Sequence, residues 1–509
     1  MLNYQTWLES SNEVRILLVQ VSVLVGGTEQ TKYLSTHSVT VDGIDYLPII
    51  KNNISIDESL SLDYTASISF GDVELANNAG ELDAWLNYVW KNRSLKVYYG
   101  GLPLPGTTVT LSNNFELVFD GVCVDIDAKS RQTLNLKIRD KLEKLNTPVS
   151  EDLIGNYYKG QIVLETVALN QNRNSLKPLV YGEVHNISPI LTDPTELEFM
   201  VAAGPVEQII EVLDNGVPVS FTTVQESETP PLPAGSFRLL APLQGTCTAS
   251  VQGTARTVNV SGSTYTDIYS PSISNTILTL LKFTGKGLAY TDIDAASFST
   301  LGTQACGVYL NTRTNVLAIC QELAKSAGLT LAVTRTGKVK LVKLAIPTSS
   351  SITISDSDTF LNSLRLVSKP DIVGAVKLGY AKNFTVLTGL VTGIPEEHKD
   401  LFAKEYLEVL AEDTQVINTY DLDSEPVLEP TSLINRDQAQ LVAAEKLELF
   451  KVPRVIYGMT CTSKYLNLEI GTPITLVSNR YGLSAGKKGL VISTKPNWLQ
   501  GRIEVEVII

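Results

Sequence analysis

Cysteine and histidine are scarce in this chain of 509 residues, which has five cysteines and three histidines. They lie far apart, and no two cysteines form a Cys-x-x-Cys pair. These residues are Cys123, Cys247, Cys306, Cys320, Cys461, His37, His185 and His398. Zinc sites and disulfide frameworks need closely and regularly spaced ligands. We therefore expect no metal site, and we expect the cysteines to be buried free thiols.

The motifs of common enzyme classes are also missing. The chain has no Gly-x-Ser-x-Gly, no His-Glu-x-x-His and no Gly-x-Gly-x-x-Gly. The acidic run Ser355–Asp358 lacks the glycine and the distal glutamate of an EF-hand loop. The sequence therefore predicts a protein that is not an enzyme, with no catalytic, cofactor-binding or metal-binding residues and no cofactor.

Basic charge and long apolar runs are lacking as well. The net charge is −13 and the isoelectric point is about 4.9, which disfavours stable binding of nucleic acid through phosphate contacts. The apolar run Ile16–Val25 is too short to span a bilayer and predicts a strand. It follows Glu9 and Glu13 instead of the basic residues of a signal peptide. We expect no stable insertion into a membrane.

Strand patterns dominate what is present. Residues 15–145 contain β-branched and aromatic runs separated by Gly or Asp-Gly. One segment there has helical spacing, with apolar residues at Leu82, Trp85, Leu86, Val89 and Trp90. It predicts a helix that covers the open edge of a β-barrel, with the two tryptophans as core anchors.

The fold class that follows is mainly β with α+β parts: two β-barrel-like domains, an inserted β domain and a small helix–strand domain. The expected segments are a first β-barrel with one covering helix (1–150), a linker and inserted β-rich domain (151–270), a small α/β domain (271–350), and a second β-barrel (351–509) with a helical insertion at about 395–453.

Asp125 and Asp127 are the best candidates for an acid–base pair. On a strand they lie roughly 6–7 Å apart, near the spacing of the carboxylates in inverting glycosidases. In a hairpin of residues 119–140, however, alternation predicts that they point outward, opposite or diagonal to Lys137 and Arg139, and form cross-strand ion pairs. The inward residues would be Val122, Val124, Ile126, Leu134, Leu136 and Ile138.

Asp140 has a structural explanation too. Glu143 follows three residues later at the junction between the predicted strand and a short helix. This spacing is a variant of the capping box, in which side chains satisfy the free N–H groups of the first helical turn. The carboxylates of this region are therefore interpreted as parts of a scaffold.

Three segments, in this order along the chain, resemble a known family. They are FDGVCVDIDAKSRQTLNLKIRDKLEKLN (119–146), NVLAICQELAKSAGLTLAVTRTGKVKLVKL (315–344) and QLVAAEKLELFKVPRVIYGMTCTSKYLNLEIGTPITLVSNRYGL (440–483). The chain resembles the tail-tip (baseplate) hub proteins of tailed bacteriophages, and residues 180–193 resemble the start of an inserted domain in such hubs. Gly471-Thr472 departs from the more usual Gly-Asp of the third segment.

This resemblance implies a structural role in the virion. Hubs of this family are homotrimers with two barrels per subunit, which present a pseudo-sixfold ring that caps the tail tube and adapts sixfold to threefold symmetry. The implied partners are distal tail or tail tube proteins, the tape measure protein and tip or fibre proteins, with DNA only in transit through the lumen. The implied location is the distal end of the phage tail, after assembly in the host cytoplasm. With the acidic composition, the resemblance predicts an acidic lumen.

Two alternatives stay open at this point. The chain could be a hexameric distal tail ring protein, which usually has a single barrel of this type. It could also be a tail-associated protein that binds or cleaves glycans, through residues 178–265 or through Asp125 and Asp127.

Overall fold

The computed structural model describes residues 4–10, 14–65, 69–102, 108–155, 157–158, 161–162, 172–225, 233–254, 257–258, 265–266, 268–283, 288–387, 390, 394–423 and 425–509. The chain forms two compact units. Unit 1 contains residues 1–144, 330–372 and 453–509, and unit 2 contains residues 145–329 and 373–452. The division into the four segments expected from the sequence stays a prediction.

Strands make up most of the regular structure, so the fold is mainly β, as predicted. The N-terminal strands are β1 (Ile16–Val25), β2 (Thr28–Ser35), β3 (Val39–Val41), β4 (Ile44–Tyr46), β5 (Ser55–Ser59), β6 (Phe70–Ala76), β7 (Arg93–Gly100), β8 (Phe115–Ser130) and β9 (Thr133–Arg139). The next strands are β10 (Tyr157–Tyr158), β11 (Gln161–Ile162), β12 (Leu179–Ile187), β13 (Ile190–Asp193), β14 (Glu198–Met200), β15 (Gln208–Asp214), β16 (Val217–Pro218), β17 (Phe221–Gln225), β18 (Pro233–Leu239), β19 (Cys247–Gln252), β20 (Thr257–Val258), β21 (Tyr265–Thr266) and β22 (Gly307–Leu310). The last strands are β23 (Leu329–Val333), β24 (Val339–Lys343), β25 (Ile352–Ile354), β26 (Arg365–Ser368), β27 (Ala375–Tyr380), β28 (Leu407–Glu412), β29 (Leu428–Pro430), β30 (Ile456–Thr462), β31 (Pro473–Leu476), β32 (Lys487–Asn497) and β33 (Arg502–Ile508).

Helices are fewer and mostly short. The α-helices are α1 (Tyr4–Glu9), α2 (Leu111–Asn114), α3 (Ile273–Phe283), α4 (Ala295–Thr300), α5 (Val316–Ser326), α6 (Glu396–Ala403), α7 (Thr414–Tyr420) and α8 (Arg436–Phe450). The 3₁₀ helices are Asp83–Asn87, Lys141–Leu145, Tyr290–Asp292, Asp356–Asp358 and Ser463–Tyr465.

Unit 1 is built on a 13-stranded sheet. Its strands lie in the order β2-β1-β7-β8-β9-β6-β5-β32-β33-β30-β26, and β31 pairs with β32 and β25. We call β1, β2 and β5–β9 the N-terminal half, and β25, β26 and β30–β33 the C-terminal half. One apolar core cluster takes residues from both halves, among them Leu75, Ile138, Val491 and Val505. The parts of the two predicted barrel regions that lie in unit 1 therefore share one sheet and one core.

The two halves repeat the same strand arrangement. In the N-terminal half five consecutive strands lie in the order β7-β8-β9-β6-β5, and in the C-terminal half the order is β31-β32-β33-β30-β26. All neighbours within these two sets are antiparallel. In chain order the first set is β5 to β9, and the second is β26 and β30 to β33, because β27 to β29 belong to unit 2. The chain thus builds one five-strand pattern twice.

A β-bulge occurs at the same place in both copies of this pattern. The pairing of β8 with β9 shifts between Cys123 and Asp125, and the pairing of β32 with β33 shifts between Val491 and Ser493. The extra residues, Val124 and Ile492, each follow a glycine by three positions. The bulge also corrects the predicted alternation, because it puts Cys123 into the core in place of Val124, which is only half-buried.

The predicted covering helix is a 3₁₀ helix, Asp83–Asn87, which ends before Tyr88. Its backbone bonds join residues three apart, as from the Trp85 N–H to the Leu82 carbonyl at 2.9 Å. With three residues per turn, Leu82 and Trp85 share a face and Leu86 turns away. Leu82, Trp85 and Trp90 are buried, but Leu86 and Val89 are 42% and 49% exposed, so the predicted five-residue apolar stripe is wrong.

Unit 2 contains the described strands of the segment predicted as an inserted β domain (151–270), together with β22 from the segment predicted as a small α/β domain. There a five-stranded sheet (β16-β15-β19-β12-β22) and a four-stranded sheet (β13-β14-β18-β17) share a core that includes Ile187, Val212, Phe237 and Val251. The linker predicted before this domain includes residues 163–171, which lie outside the described residues.

The helical insertion predicted at about 395–453 is also in unit 2. It contains α6, α7 and α8, but it also contains β28 and β29, which pair with β27. Alternating burial along Leu407–Glu412 explains why this stretch forms a strand and does not continue a helix.

Candidate assembly site at the junction of the two sheet halves

The junction of the two halves is the pairing of β5 with β32. Ser59 lies opposite Ser493 and Glu58 lies opposite Thr494 in an antiparallel register. The Leu60 N–H donates to the carbonyl oxygen of Ile492 at 2.7 Å. Ile492 is the extra residue of the bulge, which disrupts the local ladder to β33 and leaves a group for another partner. The bulge therefore leaves the Ile492 carbonyl available to β5, which pairs along this edge of β32.

Arg335 forms hydrogen bonds to both strands of this junction from within the core. Its guanidinium Nε donates to the Glu58 carboxylate at 2.8 Å, and its Nη2 donates to the Thr494 hydroxyl at 2.8 Å. The Thr494 hydroxyl in turn donates to the same Glu58 oxygen at 2.8 Å. The Arg335 and Glu58 side chains are only 4% and 2% exposed. A buried ion pair of this kind needs further hydrogen bonds to offset the loss of water.

The remaining donors of Arg335 supply those bonds. Nη1 and Nη2 donate to the carbonyls of Leu466 and Leu468, each at 2.6 Å. The guanidinium also lies 5.6 Å from the centre of the Trp498 ring, a distance that allows a cation–π interaction. The planar, multi-donor shape of arginine fits this arrangement, and a lysine could not make the same set of bonds.

A tight turn places Arg335 there. Residues 334–338 connect β23 and β24, and the Gly337 N–H donates to the Thr334 carbonyl at 2.8 Å. Gly337 has φ +79°, and a Cβ at this position would lie 2.7 Å from the Asp120 carbonyl oxygen, so only glycine fits. The Asp120 N–H donates to the Arg335 carbonyl at 2.8 Å. The turn therefore contacts β8 of the N-terminal half as well.

The three segments that resemble the hub family meet at this turn. Asp120 belongs to the first segment, Arg335 to the second, and Leu466 and Leu468 to the third. Arg335 and Glu58 are not among the residues that the sequence predicts as important, because they are 277 positions apart in the chain. The signals that were available are an arginine inside the turn Thr-Arg-Thr-Gly and a glutamate that alternates with Ile56 and Leu60 at an inward position.

The opposite face of the sheet is polar and carries a second ion pair across the same junction. Lys495 of β32 lies 2.9 Å from Asp57 of β5, and the two side chains are 52% and 35% exposed. Paired residues in the ladders place further charged side chains on this polar face, which are Asp72, Glu74, Asp125, Asp127, Lys129, Lys137, Arg139, Arg365, Arg502, Glu504 and Glu506. Carboxylates and basic side chains are therefore mixed on this face.

Asp125 and Asp127 belong to this polar face, as the sequence predicts. Asp125 lies directly opposite Lys137, and the Asp127 carboxylate lies 2.7 Å from the Lys137 ammonium on the diagonal. The geometry is that of cross-strand ion pairing.

Asp140 is buried and caps the start of the 3₁₀ helix Lys141–Leu145. Its carboxylate oxygens accept from the Leu142 N–H at 2.8 Å and from the Ser69 N–H at 2.6 Å. Burial raises the pKa of Asp140 to about 7, although these hydrogen bonds act in the opposite direction. Asp140 therefore caps a 3₁₀ turn, and its own N–H donates to the Ser69 carbonyl at 3.1 Å, where a capping box would use the Glu143 carboxylate.

The other sequence-based candidates also have local partners. Asp358 accepts from the Ser355 N–H at 2.9 Å and pairs with Lys464 at 3.2 Å. Among the described residues, no group of His, Cys, Asp or Glu side chains is arranged to hold a metal ion. No helix in the described part of the chain is long and apolar enough to cross a membrane.

No family model and no curated protein matches the chain. Among solved structures it is similar to a tail protein from Neisseria meningitidis MC58, with 11% identity and a TM-score of 0.38 over 96% of each chain. It is also similar to the 43 kDa tail protein of prophage MuSo2 from Shewanella oneidensis, with 10% identity and a TM-score of 0.40 over 97% of this chain and 98% of that one. For the prophage tail protein gp18 from Listeria monocytogenes EGD-e, the identity is 8% and the TM-score 0.41 over 97% and 94%. At these identities and TM-scores the likeness carries no weight for function.

Proposed function

We propose that this chain is a structural component of a phage tail, the hub that caps the tail tube at the tip and forms the channel for the tape measure protein and DNA. The observation that carries the proposal is the repeated five-strand pattern, with its bulge at the same position in each copy. A subunit with two similar halves presents six similar elements when three copies form a ring. Such a homotrimer can match a sixfold tube on one side and a threefold tip on the other.

The Arg335 site supports this role as a structural element. It fixes the two halves against each other with a buried ion pair and hydrogen bonds to the third segment. A ring that joins parts of different symmetry needs such a fixed angle between its repeated elements. The residues that carry the sequence resemblance to hubs thus meet where this angle is set.

The polar face of the sheet is the surface we assign to the channel. Its mixture of carboxylates, lysines and arginines offers no basic excess, so it would not retain DNA by phosphate neutralisation. The acidic lumen expected from the sequence stays a prediction; on this assignment basic groups such as Lys137 and Lys495 would lie among its carboxylates.

The proposed partners are distal tail or tail tube proteins, the tape measure protein and tip or fibre proteins, and the proposed location is the distal end of the virion tail. The mass of the purified protein, measured by light scattering at several concentrations, tests the assembly. A trimer is expected. A hexamer would favour a distal tail ring protein, and electron microscopy of particles with a labelled chain would then locate it along the tail.

A glycan-cleaving role makes a separate prediction. It requires that Asp125→Asn abolish cleavage of a host polysaccharide. The hub proposal expects no such activity in the unmodified chain, because the pair Asp125 and Asp127 faces Lys137 in an ordinary strand ladder.

A further inference from the structure

The N-terminal helix α1 is anchored in unit 1 by two side chains. Trp7 and Leu8 are buried in the core, whereas Gln5, Thr6 and Glu9 are exposed. A helix of six residues is not stable in water by itself, so α1 is helical only while these two side chains are docked. The folding of α1 and its docking are therefore one event.

The site that receives α1 is formed by residues outside the helix. The Trp7 ring packs edge-on against Tyr99, with the ring centres 5.2 Å apart. Gly101 lies beside the indole, and a Cβ at this position would clash with Nε1, so any side chain here would exclude Trp7. The helix also packs against the 3₁₀ helix Ser463–Tyr465. The residues that receive α1 form what we call the α1 site: Arg15, Tyr99, Gly101, Ser463–Tyr465 and Gly501.

Arg15 binds the C-terminal end of α1. Its Nη2 donates to the carbonyls of Leu8 at 3.1 Å and Ser10 at 2.8 Å, and its Nη1 donates to the Tyr99 hydroxyl. The helix contains no basic residue of its own, so the α1 site supplies the cation that favours this end. Gly501 has φ +59°, and a Cβ there would lie 2.8 Å from the guanidinium carbon of Arg15, so glycine leaves room for this contact.

The docked helix keeps one polar group without a partner. The indole N–H of Trp7 is buried, and no atom of the described residues accepts from it. A buried donor without an acceptor disfavours the docked state, because water bonds the same group after release. Release also returns conformational freedom to residues 4–10. Only two buried anchors oppose these effects, so α1 should open at a lower free energy than the rest of unit 1.

The α1 site lies next to the Arg335 site. The Tyr99 ring packs against Trp498 with the ring centres 5.0 Å apart, and the Arg335 guanidinium lies 5.6 Å from the centre of the Trp498 ring. The 3₁₀ helix of the α1 site runs directly into Leu466, whose carbonyl accepts from Arg335. Release of α1 therefore removes packing from two groups that position Arg335.

We propose that the α1 site is a docking site for a short helical segment that carries a tryptophan followed by an aliphatic residue, and that α1 fills it reversibly while the rest of unit 1 stays folded. Its occupancy stabilises the Arg335 site. This inference does not rest on the proposed function, because every contact that carries it lies within unit 1 of one chain.

Hydrogen exchange of the unmodified chain, followed by mass spectrometry, tests the release. The amides of residues 8–10, at the end of α1, are expected to exchange about tenfold or more faster than the paired amides of β1 and β7, because they exchange through local opening. Exchange at the rate of β1 would mean that α1 leaves only when unit 1 unfolds, and it would overturn the proposal.

A fluorescent peptide with the sequence of residues 1–12 tests the α1 site as an independent binding site. Trp7→Ala in the full chain removes the main anchor of α1 and so vacates the site. Fluorescence anisotropy should show saturable binding of the peptide to this variant. Binding to the unmodified chain should be about a hundredfold weaker, since its own α1 competes at a high effective concentration.

Two controls separate the anchor from the site. A peptide that itself carries Trp7→Ala, and a Trp7→Ala chain with Gly101→Ala added, should each lose most of the binding, because one lacks the indole and the other lacks the space for it. Equal binding to all the chains would mean that the peptide attaches elsewhere, and it would overturn the proposal. So would the absence of binding to a Trp7→Ala chain that still unfolds cooperatively. If that variant does not fold, hydrogen exchange of the unmodified chain still decides.

Exchange at the junction tests the link to Arg335. The Leu60 and Asp120 N–H groups donate to the carbonyls of Ile492 and Arg335. Their exchange should be about fivefold faster in Trp7→Ala and should slow again when the peptide is bound, whereas β19 in unit 2 should not respond. Unchanged exchange at Leu60 and Asp120 would overturn the link to Arg335, and the docking site would then depend on the peptide measurement alone.

Discussion

The guanidinium of Arg335 lies 2.8 Å from the carboxylate of Glu58, in the core behind the junction of β5 and β32. Lys495 and Asp57 form an ion pair of similar length, 2.9 Å, on the polar face of the same junction. The first pair is almost wholly buried and the second is largely exposed. The two ion pairs at this junction therefore differ mainly in their access to water.

Removal of Arg335 is expected to destabilise unit 1 strongly. Arg335→Met leaves Glu58 charged and buried without its partner, which costs about 3–5 kcal/mol. Urea unfolding followed by tryptophan fluorescence measures the effect, because Trp7, Trp85, Trp90 and Trp498, all the tryptophans of the chain, lie in unit 1. Lys495→Met is the matched control, with an expected loss within about 1 kcal/mol. Similar losses for the two variants would contradict the role assigned to burial.

Two variants distinguish the 3₁₀ helix Asp83–Asn87 from the α-helix that the sequence predicts. Trp85→Ala should cost about 3 kcal/mol, because it empties a buried site beside Trp90. Leu86→Ser should change stability by about 0.5 kcal/mol or less, because Leu86 is exposed. Thermal unfolding of the two variants measures the difference. A large loss for Leu86→Ser would instead favour the five-residue stripe of an α-helix.

Local patterns in the sequence predict many of the elements correctly. The apolar run at residues 16–25 is strand β1. The helix before Gly328 is α5, and its N-cap is Asn315, whose side chain accepts from the Leu317 N–H at 2.9 Å. Such signals depend on neighbours within a few positions, so the sequence shows them directly.

Long-range relationships are not predictable in this way. The alternation along β8 fails at Val124, because a bulge inserts one residue and shifts the parity. The buried pair of Arg335 and Glu58 joins parts of the chain that no spacing rule connects. The two copies of the five-strand pattern share their strand order and the three-residue spacing from a glycine to the bulge. Strand order is a property of the folded sheet, so the sequence alone does not show the repeat.

Burial of the cysteines predicts how they react with a thiol reagent. Burial raises the pKa of Cys123, Cys306 and Cys461 to about 12, and it also raises the pKa of Cys320. These four thiols are fully buried, whereas Cys247 is half-buried, with a pKa raised to about 12. Thiolates are the reactive form, so a thiol reagent near neutral pH should label at most Cys247, and slowly, in the native protein. All five should react in denaturant. Fast labelling of a second thiol would place one of the four at the surface.

Asp140 makes stability depend on pH. Its folded-state pKa, about 7, is above the ordinary value of about 3.9, so between these values the folded chain holds a proton that the unfolded chain has lost. The contribution of Asp140 to stability is therefore greatest below about pH 4 and decreases as the pH rises to about 7, by up to about 1.4 kcal/mol per pH unit. Asp140→Asn removes this titration, although it also loses one acceptor for the Ser69 or Leu142 N–H.

The difference in unfolding free energy between the unmodified chain and Asp140→Asn, measured by tryptophan fluorescence at several pH values from about 4 to about 8, should therefore shift in favour of the variant as the pH rises. A difference that does not change with pH would mean that the two backbone N–H groups hold Asp140 ionised in the fold, and that hydrogen bonding to the carboxylate outweighs the effect of burial.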